Sequence, residues 1–107
     1  MSDIPIEVTV TRSGGFAGIE TRAAVDTADL PPDRAAELRS LVRRADPAAL
    51  ARRLAGAQDD PLGRDRFHYD VEIRVGDDVH QLSVGEAAIP AELKAVIDSV
   101  MRYGRPG

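Results

Sequence analysis

From Ile4 the apolar side chains fall on alternate positions, Ile4, Ile6, Val8 and Val10, with Glu7, Thr9 and Thr11 between them. That period of two is the mark of a half-buried strand. Ile19, Thr21, Ala23 and Val25 repeat it, and Ser13-Gly14-Gly15-Phe16 lies between the two runs. A Gly-Gly pair accepts the positive φ angles of a two-residue primed turn, so the spacing predicts a hairpin closed at Gly14-Gly15. In that register Val10 faces Ile19, Val8 faces Thr21, Ile6 faces Ala23 and Ile4 faces Val25. Glu7 then faces Arg22, an opposite-charge pair.

The pattern switches to the helical period at "LPPDRAAELRSLVRRA". Pro31 and Pro32 suit a first turn, Asp33 and Glu37 favour its positive end, and Ala35, Leu38, Leu41, Val42 and Ala45 make one stripe. Asp46-Pro47 reads as a fresh cap for a second helix carrying Leu50 and Leu54 as far as Gly56. Residues 57–66 form a polar loop. Phe67, Tyr69, Val71, Ile73 and Val75 then alternate with His68, Asp70, Glu72 and Arg74, the clearest strand in the chain. A turn at Gly76-Asp77 or Asp77-Asp78 returns it through Leu82 and Val84. Pro90 opens a last helix with Leu93, Val96, Ile97, Val100 and Met101 inward, ended by Gly104. The order ββααββα predicts an α+β fold: a four-stranded, mostly antiparallel sheet of two hairpins, covered by helices on one face and wet on the other.

Composition narrows the function. At 107 residues and 43% hydrophobic content, one domain over residues 1–107 with a single core is expected. The core rests on aliphatic residues, because the aromatics are only Phe16, Phe67, Tyr69 and Tyr103. A net charge of −4 argues against a nucleic-acid partner. The arginine pairs at 43–44 and 52–53 read as solvated helix faces. The absence of cysteine removes disulfide and thiolate chemistry. The start "MSDIPIEV" does not look like a secretion signal and no stretch reaches membrane-spanning length, so a cytoplasmic protein without a membrane partner is expected.

Candidate chemistry is sparse. His68 lies on the polar face of its strand and His80 shares parity with Leu82, so the two histidines point to opposite sides and cannot share a metal. The serines are scattered and none sits in a nucleophile elbow. "SGGFAG" looks like a phosphate loop, but a strand rather than a helix follows it. The chain is therefore read as a non-enzyme with no cofactor and no metal. Phe16 stands out, because the hairpin register places it on the polar face beside the tip, as a binding anchor would be. A looser turn shifted by one residue tucks it into the core instead. The second candidate is Leu30 in the extended segment "DTADLPP", whose alternative role is a hydrophobic staple on the helix that follows.

The segments "VTVTRSGGFAGI", "DTADLPPDRAAELRSLV", "RFHYDVEIRVGDDVHQLSV" and "AAIPAELKAVIDSV" together resemble the emfourin family, small bacterial inhibitors of thermolysin-like (M4) zinc metalloproteases of the protealysin type. The R-x-G-G-F hairpin and the L-P-P helix start are its most specific parts. The resemblance implies a cytoplasmic inhibitor without a cofactor, a protealysin-type metalloprotease as partner, and contacts through Gly14, Gly15 and Phe16, with Leu30 as second choice. A monomer is expected. The competing function is a regulatory adaptor that binds a partner through the same tip or an open sheet edge without inhibiting a protease.

Overall fold

The computed structural model describes residues 4–14, 20–55 and 67–106. Four main strands are present, β1 (Ile6–Gly14), β2 (Thr21–Asp26), β3 (Phe67–Val75) and β4 (Asp78–Gly85). The helices are α1 (Pro32–Ala45), α2 (Pro47–Ala55) and α3 (Ala91–Tyr103), and a two-residue strand, β5 (Arg105–Pro106), follows α3. The fold is α+β in the expected order, and the sheet runs β4-β3-β1-β2-β5 with every pairing antiparallel.

The face assignments hold. Val8, Val10, Val71, Ile73, Leu82 and Val84 turn to the helices and are buried, joined there by Leu38, Leu50, Leu93, Val96 and Val100. α3 covers β1 and β2 and packs on α1, while α2 covers β4. The first hairpin, however, is not closed at Gly14-Gly15. Val8 faces Val25, Val10 faces Ala23 and Arg12 faces Thr21. The cause is the third strand: β3 pairs with β1 along its whole length, out to Phe67 opposite Gly14, and keeps Gly14 in the strand. Gly14 ends β1 at φ 107, a backbone angle that favours glycine. Because the slip is by an even number of residues, every side chain keeps its face. Glu7 consequently faces Asp26, not Arg22, and finds its opposite charge in Arg74 on the other side.

The second hairpin closes at Gly76-Asp77, since Val75 faces Asp78, and Gly76 takes φ 59 at the first loop position. Asp46 serves two helices. Its φ of 52 and its amide bond to the Val42 carbonyl end α1, and its carboxylate accepts from the Ala49 amide in the first turn of α2. On the surface of α3, Lys94 donates to Asp98 at 2.8 Å, which holds the ammonium pKa above its usual value. The pair is fully present below that value and fades as pH rises through the raised one.

The segment before α1 differs from the extended reading. Thr27–Asp29 is a 3-10 turn whose second amide, that of Ala28, donates to the Asp26 carboxylate at 2.8 Å. Thr27 is the buried polar side chain among the described residues, and its Oγ1 accepts the Ile6 amide at 3.1 Å. Replacing Thr27 with valine keeps the shape but strands that amide donor, so a loss of about 1–3 kcal/mol is expected in urea unfolding. A change below about 0.5 kcal/mol would mean that the amide has found another partner.

Candidate functional site

Gly14 sits at the far end of β1, exposed, beside a brace on the helix side of the sheet. There the Arg12 guanidinium lies 4.9 Å from the centre of the Phe67 ring, a cation–π contact between neighbouring strands. The strand leading into the Gly-Gly-Phe motif is therefore paired to its last residue and packed by a side chain. Gly15 and Phe16 lie outside the described residues, so whether Phe16 is anchor or core stays with the sequence reading.

Leu30 lies elsewhere. It follows the 3-10 turn, its amide bonded to the Thr27 carbonyl at 3.3 Å, and its half-buried side chain packs against the core. With Asp29, Tyr103 and Arg105 it lines a recess of about 190 Å³ beside β2. The core packing agrees with the staple alternative. Antiparallel pairing sets Glu7 opposite Asp26, at the end of the sheet remote from Gly14. At ~3.4 Å per residue Gly14 and the Glu7–Asp26 pair, four residues before Leu30, stand about 24 Å apart along the sheet.

The wet face carries the polar constellation. A shallow concavity of about 510 Å³ lies over Thr9, Thr11, Arg22, Asp70, Gln81 and Ser83. At its rim His68, Ser83 and Asp70 meet: the Ser83 hydroxyl donates to Asp70 Oδ1 at 2.9 Å, and His68 Nε2 stands by both, 3.6 Å from the carboxylate. The residue types are those of a hydrolytic triad, but the wiring is not. A triad needs the carboxylate on one imidazole nitrogen and the hydroxyl on the other. Here both meet Nε2, and the Ser83 hydroxyl donates to the acid itself, so the relay from serine through imidazole to acid is not formed. Sequence reading missed this trio; alternate strand positions on adjacent strands were the only available signal. His80 sits opposite Ile73 on the other face, as parity predicts. Among the described residues no group of three or more His, Cys, Asp or Glu side chains is placed to hold a metal ion, and no helix is long and apolar enough to cross a membrane.

Fold and site together define a small α+β domain with a one-sided antiparallel sheet, whose braced strand β1 ends at Gly14, the first residue of the Gly-Gly-Phe motif in the sequence. A family comparison agrees with the motifs that carry the resemblance. The Emfourin family model matches residues 10–101, and the chain belongs to that family. Nothing among the curated proteins or the solved structures matches it.

Proposed function

We propose that the chain is a cytoplasmic protein inhibitor of a thermolysin-like (M4) zinc metalloprotease of the protealysin type, acting as a monomer with no cofactor of its own. The observation that carries this reading is membership of the Emfourin family over residues 10–101, which include the Gly14-Gly15-Phe16 motif. The family is one of inhibitors, and the resemblance points to a cleft that takes a large apolar side chain beside the scissile bond.

The fold supports the tip as the inserting element. β1 is paired on both sides up to Arg12, and on the β3 side up to Gly14. On this reading the chain leaving that base enters a cleft in extended form, where main-chain pairing and one apolar side chain supply the affinity. Leu30 is the weaker candidate, because inserting it would strip a half-buried side chain from the core that it packs against.

The test is hydrolysis of a peptide substrate by a thermolysin-like protease titrated with the pure protein. Stoichiometric loss of activity is expected, and Phe16→Ala is expected to raise the inhibition constant at least tenfold. An unchanged constant with intact folding would remove Phe16 and move the test to Leu30→Ala. Full protease activity at excess protein would favour the adaptor reading, which the outer edge of β4, unpaired among the described residues, supports.

A further inference from the structure

The two edges of the sheet are treated differently. On the β2 side the chain returns after α3, and Arg105–Pro106 pairs with Ala23 and Ala24, ending that edge in a proline. On the other side β4 pairs with β3 alone among the described residues. Natural edges are blunted by lysine, proline, a bulge or a covering segment. β4 shows none of the first three: "DVHQLSVG" contains no lysine, arginine or proline, and its register with β3 runs unbroken from Asp78 to Gly85. It is eight residues long, ample for pairing.

The hairpin fixes which backbone groups are free. A two-residue loop makes Val75 and Asp78 a hydrogen-bonded pair, and bonded pairs recur at every second position. His80, Leu82 and Val84 therefore bond to β3, while Val79, Gln81 and Ser83 direct their amides and carbonyls outward. Val79, one residue past the turn, is 47% exposed.

Chemistry on the two sides of the edge selects the occupant. On the wet side Gln81 and Ser83 stand in front of Glu72 and Asp70, their partners on β3; Glu72 has Arg74 at 3.8 Å and Asp70 accepts from Ser83, yet both carboxylates stay partly exposed and outnumber that one arginine one strand behind the edge. An added strand would run ~4.8 Å beyond β4, which leaves those acids within reach of a long cationic side chain. On the helix side α2 covers β4. Its Arg53 turns toward Glu92 of α3, 3.9 Å away. At 100° per residue the opposite flank, toward the edge, carries Ala48, Ala51 and Ala55. That flank is small, apolar and uncharged. A second copy of the chain is a poor fit, because it would bring two sets of carboxylates together on the wet face.

We infer that the outer edge of β4 is a strand-addition site for an extended segment of a partner protein whose side chains alternate between apolar, under α2, and cationic, over Glu72 and Asp70. Main-chain bonds to Val79, Gln81 and Ser83 supply the affinity and the alternation supplies the selectivity. The reading does not depend on protease inhibition.

The experiment uses the full chain labelled with nitrogen-15 and a capped peptide alternating arginine with valine. Saturating peptide should slow amide hydrogen exchange at Val79, Gln81 and Ser83 by at least tenfold, whereas a glutamate–valine peptide should leave it unchanged. Gln81→Pro removes one outward amide without touching the ladder to β3, and should abolish the protection while the remaining amide spectrum stays that of the folded protein. The inference falls if neither peptide protects, if both protect equally, or if Gln81→Pro still shows protection. It also falls if the edge is protected without peptide in proportion to protein concentration, which would assign it to a second copy. None of these readouts involves a protease, so a failed inhibition assay and a closed edge are separate results.

Discussion

Leu50→Ala is expected to lower stability by about 3 kcal/mol, within the 2–5 kcal/mol usual for leucine truncation in a core. α2 has nine residues and a single fully buried side chain, Leu50, which is 0% exposed. Pro47, Ala51 and Leu54 are only half-buried. A helix so short has almost no intrinsic stability in water, so its docking on β4 decides whether it exists. Removing the Leu50 side chain deletes the transfer term and leaves a cavity under the helix. For a domain of this size the loss corresponds to a fall of about 10–20 °C in the thermal midpoint. Two probes separate the routes. A common shift in near- and far-ultraviolet dichroism means global loss, whereas early exchange of the α2 amides means that the helix detaches first. A destabilisation below about 1 kcal/mol by every probe would show that α2 contributes little to the core.

The parts of the fold legible in the sequence are those set by side-chain period. Val8 and Val10 face the helices whether the first hairpin turns at Gly14-Gly15 or further on, because parity is indifferent to an even slip. The register itself was not legible. Gly14-Gly15 is a sound local turn signal, yet Gly14 is claimed by Phe67, a partner more than fifty residues away along the chain. A non-local ladder outweighed local turn chemistry there. β5 was invisible for a simpler reason: Arg105–Pro106 is too short to show any period, and its existence depends on where α3 ends. The 3-10 turn at Thr27–Asp29 did carry a signal, Asp26 two residues before an amide that its side chain can cap. That signal was overshadowed by the Pro-Pro that follows. Of the candidate site, the Gly-Gly-Phe motif was legible as a motif, and Leu30 as a choice between anchor and staple. That β4 is an edge strand among the described residues became readable only with the strand order, since nothing within "DVHQLSVG" says which strand lies beside it.

Gly104→Ala is expected to cost about 2–3 kcal/mol and to act mainly on the edge that β5 closes. The backbone at Gly104 is ordinary, with φ −75, so any residue could adopt it. The obstacle is space. A Cβ there would stand 2.4 Å from the Val100 carbonyl oxygen and 3.0 Å from that of Ala24. The first is the carbonyl that accepts the Gly104 amide at 2.7 Å and ends α3, and the second belongs to the residue that pairs with Arg105. Both are backbone atoms in fixed elements, so a methyl group can be accommodated only by moving the chain after α3. The preceding residue does not move readily: Tyr103 accepts a 2.8 Å hydrogen bond from Arg34, whose guanidinium lies 4.3 Å from the centre of the same ring. The relief therefore falls on the other side of Gly104, where β5 leaves β2. Faster exchange of the Ala24 and Arg105 amides, with α3 still protected, is the expected signature. Once β5 is released, neither β2 nor β4 has an outer partner among the described residues, and association at high concentration should follow by strand pairing at the freed β2 edge. If the Arg105 amide kept its protection and the denaturation midpoint were unchanged, the turn from α3 into β5 would have slack that these distances do not show, and the closed edge would owe nothing to the glycine.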